Sequence, residues 1–190
     1  MQKAKNKNQS GFSLLETLVA VAILTGAVLG PLALASQSIR SSGLSQDRIA
    51  AFFLAQEAME FVRNRRDENG LLRLTDSGRT WLSGLEACRT DINADGCIVD
   101  PFPMEAGGTI AACSGSCPYL PYGTAVDTER YGYDIPSFFI QSQKYRRTVY
   151  IEPIQEDVEV RVRVIIEWVT PLKSSGTDSF TTEERLFNWI

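Results

Sequence analysis

Residues 12–35 read FSLLETLVAVAILTGAVLGPLALA, and between Asn8 and Ile39 a single side chain, Glu16, is charged. Wound as a helix at 1.5 Å per residue, the run spans about 36 Å, more than the ~30 Å hydrocarbon core of a bilayer. Before it stands MQKAKNKNQSG, which carries Lys3, Lys5 and Lys7 and no acid. A basic flank of this kind holds an N-terminus in the cytoplasm and sends the rest of the chain outside. The apolar run therefore decides the fold: a long N-terminal helix leads to everything else.

A secretory signal peptide has the same basic start, and Ala33-Leu34-Ala35 offers a cleavage site. Its apolar region is usually only about 7–15 residues, and a glutamate near its beginning is out of place. A plain anchor accounts for the length but not for Glu16, because a carboxylate inside a membrane costs roughly 2.5–3.5 kcal/mol and normally has a partner. Gly26, Gly30 and Pro31 interrupt the helix, at positions that membrane helices tolerate when neighbours satisfy the freed backbone.

The stretch Gly11-Phe12-Ser13-Leu14-Leu15-Glu16, behind a basic leader and ahead of an apolar helix, resembles the prepilin signature of type IV pilins and type II secretion pseudopilins. The resemblance implies cleavage between Gly11 and Phe12 by a membrane peptidase, then methylation of the Phe12 amine. It implies that Glu16 pairs with the N-terminal amine of a neighbouring subunit as helices pack into a filament core. The implied partners are other pilin or pseudopilin subunits, the prepilin peptidase and methylase, an inner-membrane assembly platform, and the lipid bilayer before assembly. The implied location is a single pass through the cytoplasmic membrane, then an extracytoplasmic filament. A charge buried in an apolar helix is tolerable when paired, and one such pair can fix register.

From Ser36 to about Arg66 the helix becomes amphipathic. Phe52, Ala55, Met59 and Val62 share one face, and Arg63, Arg65 and Arg66 precede an expected stop at Asn69-Gly70. Arg65 and Arg66 read as a solvated surface. The segment Ala51–Gly70 is also similar to the corresponding helix of minor pilin-like subunits.

Four cysteines lie in the irregular region that follows: Cys88, Cys97, Cys113 and Cys117. Zinc sites favour two compact CxxC pairs, which are lacking here, so two disulfides stapling a loop outside the cytoplasm is the better reading. Local pairing is the simplest of three connectivities, and spacing does not choose among them. Asp91, Asn93, Asp95 and Gly96 follow the D-x-N-x-D-G order that opens an EF-hand calcium loop, but position 12 is Phe102 and not the closing glutamate. Calcium is thus one expectation for these three side chains. An Asx-turn followed by glycine is the other.

At the C-terminal end, Val158–Trp168 alternates apolar even positions with charged odd ones, which is a strand with one buried face. Tyr145–Ile154 precedes it and Phe180–Trp189 follows, giving an antiparallel meander that the helix face of Phe52, Met59 and Val62 covers. The expected fold is α+β and pilin-like. Its segments are a leader (1–11), an apolar helix (12–35), an amphipathic continuation (36–66), a disulfide-stapled irregular loop (67–144) and an antiparallel sheet (145–190).

Composition narrows the function. The 190 residues contain no histidine, which removes Ser-His-Asp and Cys-His catalysis and His-bound zinc. Glu183-Glu184 reads as solvated charge. A formal charge of −4 leaves nucleic acid unnecessary as a partner, with Arg146-Arg147 the one local cluster that could serve it. The expectation is a structural filament subunit and not an enzyme. A membrane-tethered extracellular binding module or adhesin is the alternative.

Overall fold

The computed structural model describes residues 13–102, 108–125, 128–170 and 176–189. The chain divides into two compact units, residues 1–47 and 48–190. Helix α1 is assigned over Leu14–Leu72. It is followed by β1 (Cys97–Asp100), β2 (Thr109–Ala112), β3 (Tyr119–Ala125), β4 (Thr128–Tyr131), β5 (Ile140–Gln155), β6 (Glu159–Val169) and β7 (Thr177–Phe187). The fold is α+β and pilin-like, with two disulfides between the helix and the C-terminal strands.

In the second unit the seven strands form one sheet, and every ladder is antiparallel. The sixteen-residue β5 is its spine. One edge of β5 pairs with β6, which pairs in turn with β7. The other edge is shared: β3 pairs with residues Ile140–Arg146, and β1 meets Val149. Along β6 the expected alternation holds, with Val160, Val162, Val164, Ile166 and Trp168 all buried. Burying each such side chain contributes about 1.5–3 kcal/mol. Val158 falls in the β5–β6 turn instead and is exposed.

The helix covers this sheet with Ala51, Leu54, Ala55, Ala58, Met59 and Val62. Phe52 does not belong to that face as expected. It is substantially exposed at the margin, edge-to-face with Phe180 of β7 at 5.8 Å.

Two boundaries are corrected. The helix does not stop at Asn69-Gly70 but runs to Leu72, because Asn69 turns inward and donates to the carbonyls of Trp81 (3.2 Å) and Ser83 (2.7 Å). A buried asparagine with satisfied donors no longer terminates a helix. The turn comes later, where Leu72 O accepts from Thr75 N and Asp76 N. Nor is 67–144 simply irregular. It contributes β1 to β4 to the sheet, and β5 begins at Ile140 and not Tyr145. These four strands are short, four to seven residues, and carry Gly, Pro and charge in place of clean alternation.

Candidate processing and assembly site

Within the first unit, Ser13 O accepts from Glu16 N (2.9 Å) and Thr17 N (3.2 Å), which starts the helix. Glu16 therefore stands in the first turn, where exposed amides favour a negative charge. Around it the apolar side chains are bare: Leu14 is 79% exposed and Leu15 73%. The hydroxyls of Thr17, Thr25 and Ser36 each return to a carbonyl three or four residues back, at 2.8–3.0 Å. Polar side chains so satisfied cost little in hydrocarbon. Within α1 an 18-residue window reaches a mean hydropathy of 2.3 with none of it buried, so the helix is long and apolar enough to cross a membrane. Gly11, Phe12 and the leader lysines lie outside the described residues.

In the second unit, Cys88 is bonded to Cys97 and Cys113 to Cys117. The first bond sits in the core, and the second closes a small surface loop. Between Cys88 and Cys97 the D-x-N-x-D-G residues each have partners in the chain. Asp91 accepts from Arg89 at 2.7 and 3.1 Å. That hydrogen bond holds the Asp91 carboxyl below the usual carboxylate range. Asn93 donates to the carbonyls of Gly96 (2.5 Å) and Ala87 (3.2 Å), and its oxygen accepts from Asp95 N. Asp95 accepts from Gly115 N at 2.8 Å, tying the first cystine loop to the second. This is the hydrogen bonding of an Asx-turn.

Gly96 is required there twice over. Its φ is +74°, and a Cβ would come within 3 Å of Tyr150, Thr148 and the Val149 carbonyl. Asp100, at the end of β1, is buried and accepts from Phe102 N and Tyr133 N.

Three charged residues read from the sequence as surface or as a cluster are part of the packing. Arg147 is buried and donates to Glu57, to Leu54 O (3.1 Å) and to Val99 O (2.6 Å), so it is not available to a nucleic acid. Glu184 accepts two hydrogen bonds from Arg63 of α1, and this pairing is what most raises the Arg63 pKa. Arg66 lies over the Trp189 ring at 4.9 Å and is largely covered. Glu57, Arg63 and Trp189 lie 90, 121 and 123 residues from them in sequence, and no local pattern reveals these pairings.

Comparison of the chain with curated proteins and with solved structures finds no match. Its head is therefore read from its own geometry. The N-terminus is different: an exposed apolar helix with one carboxylate in its first turn coincides with a known sequence motif. At residues 6–25 the chain carries the prokaryotic N-terminal methylation motif, the prepilin signature of type IV pilins and pseudopilins.

Proposed function

We propose that the mature chain is a structural subunit, a minor pilin or pseudopilin, built into a type IV pilus or a type II secretion-like filament through its N-terminal helix. The methylation motif carries this reading. On it, the precursor is a single-pass, membrane-anchored protein cut between Gly11 and Phe12 by the prepilin peptidase. Setting aside the three leader lysines leaves 16 basic against 23 acidic side chains, an acidic head on an apolar stalk. Such a stalk is stable in two settings, a bilayer or a bundle of like helices, because both remove the exposed leucines and valines of α1 from water.

Glu16 gives the second setting its register. An unpaired carboxylate costs several kcal/mol among leucines, and the amine released at Phe12 of a neighbour is a cation at the same level of the stalk. Pairing the two rewards one axial offset between helices and penalises others. A chain without histidine suits a part of this kind.

The decisive measurement is the mass of the mature N-terminal peptide, made in cells that hold the peptidase. Methylated Phe12 is expected. Retention of Gly11, or loss of the whole apolar run, overturns the assignment. For Glu16, the valine variant should be cut normally yet fail to enter filaments, and normal incorporation would remove its pairing role.

A further inference from the structure

We propose that Phe138 and Phe139 are a lipid-interface contact that rests the head of the unassembled chain against the bilayer holding its own anchor. The two rings lie in a single turn of 3-10 helix, Ser137–Phe139, between β4 and β5. Phe138 is 91% exposed and Phe139 50%, and the rings meet edge-to-face at 5.4 Å, forming one apolar knob. The turn beneath is fixed from both sides. Ile135 is buried on one flank, and Phe139 N donates to Pro136 O at 2.9 Å. On the other, Gly123 of β3 lies so close that a Cβ would fall 2.2 Å from Phe139 O. A rigid backbone thus presents one large apolar side chain almost wholly bare and a second half-bare, and their ordering entropy is already spent.

Their position follows from the strand register. Arg48, where the head receives the chain, pairs with Asp178 at 3.7 Å, and Asp178 is opposite Trp168, which is opposite Tyr145. From Arg48 to Arg73, just past the helix end, residues meet β7 in ascending order: Phe52 on Phe180, Arg63 on Glu184, and Arg73 on Asn188 just beyond the strand. The helix and β7 therefore run the same way, and so does β5, two antiparallel steps away. Strand β6 stops at Val169 while β5 extends back to Ile140. At about 3.3 Å per residue, Phe139 lies about 20 Å beyond Tyr145. That displacement is toward the end of the head where the chain enters. The intervening residues 36–47, between the apolar run and Arg48, span about 18 Å as helix. Twelve residues span at most about 43 Å even fully extended, so the start of the head stays within that reach of the membrane surface.

The size of the knob favours lipid over a protein partner. Stable protein interfaces bury at least about 1,200 Å², far more than two phenylalanines offer. For a head already tethered, the effective concentration at the bilayer is high, and a small apolar insertion is enough to shift its orientation. The contact rests on the single-pass anchor and not on the filament reading.

The test uses the full chain in vesicles of phosphatidylethanolamine and phosphatidylglycerol, with the Phe138→Trp variant compared with its parent. The emission added by the new indole is expected to be blue-shifted and mostly lost when the lipids carry bromine high on their acyl chains. In detergent without brominated lipid that loss should vanish. Added emission that is red-shifted and unquenched, from a chain that still floats with the vesicles, overturns the contact and leaves the anchor standing. A chain that does not float overturns both. A photo-crosslinker at position 138 that couples to a second copy, and not to lipid, replaces this contact with a protein one.

Discussion

Arg147 on β5 reaches Glu57 on α1, so that a guanidinium buried between sheet and helix meets a carboxylate at the rim of the same interface. The guanidinium also donates to the carbonyls of Leu54 and Val99, one on the helix and one on β1. A single side chain thus joins three elements that lie far apart in sequence. Removing one member of a buried pair leaves the other uncompensated and costs more than the pair itself contributes.

Glu57→Ala is therefore expected to destabilise the head by about 2 kcal/mol, below the usual cost for a buried pair because Glu57 is partly solvated. Melting of the full chain in detergent should fall by roughly 5 °C. The combined Glu57→Leu, Arg147→Met variant should recover much of that loss. If Glu57→Ala melts with the parent, the pair adds no stability.

Tyr133 gives the head an alkaline limit. Burial, reinforced by the Asp100 charge and opposed by Arg147 and Arg146, pushes its phenol up to about 12. Its folded pKa lies above the unfolded value of about 10, so the unfolded chain releases the proton first as pH rises. Stability is therefore whole below pH ~10 and is lost through pH ~12. Its hydroxyl has no hydrogen-bond partner among the described residues. Tyr133→Phe should match the parent at neutral pH and keep on the order of 2 kcal/mol more stability at the alkaline end. Denaturant melts of both proteins at neutral pH and near pH 12 check this, and parallel curves would refute it.

The two disulfides should differ in weight. By loop length alone each contributes about 2–3 kcal/mol. Cys88 and Cys97 are also fully buried in the main core, whereas Cys113 and Cys117, buried too, lie outside that core and close a short loop of exposed residues. Replacing the first pair by alanine is expected to lower the melting temperature more than replacing the second. Equal losses would mean that the core position of the first bond adds nothing.

Calcium should leave the melting temperature unchanged, and so should EDTA. Binding at Asp91, Asn93 and Asp95 would have to break the Arg89 pair, the Asn93 amide contacts and the link to Gly115. A saturable rise with calcium that Asp95→Ala abolishes would return the ion to this loop.

Much of the fold is legible in the sequence, because its main elements announce themselves locally. The uncharged run after Phe12 and the strict alternation of Val160 to Trp168 each encode burial in a short period. Asn69-Gly70 is a stop signal only when the asparagine faces water. Here it faces Trp81 and Ser83, a relationship across a dozen residues. Strands β1 to β4 carry no local signature for a similar reason: short edge strands are held by their neighbours and by cystines more than by their own pattern.

The sequence by itself determined the stalk: its apolar length, the basic leader, the solitary Glu16 and the motif around Gly11 and Phe12. Those properties depend on neighbours along the chain, and a helix reports them directly. Only the tertiary structure decided the roles of the charges. Arg147, Glu184 and Arg66 resemble solvated side chains until the sheet brings Glu57, Arg63 and Trp189 against them. The reason is physical. Burial of apolar surface follows a local period, whereas a charge is stabilised by whichever partner the folded chain places a few ångströms away.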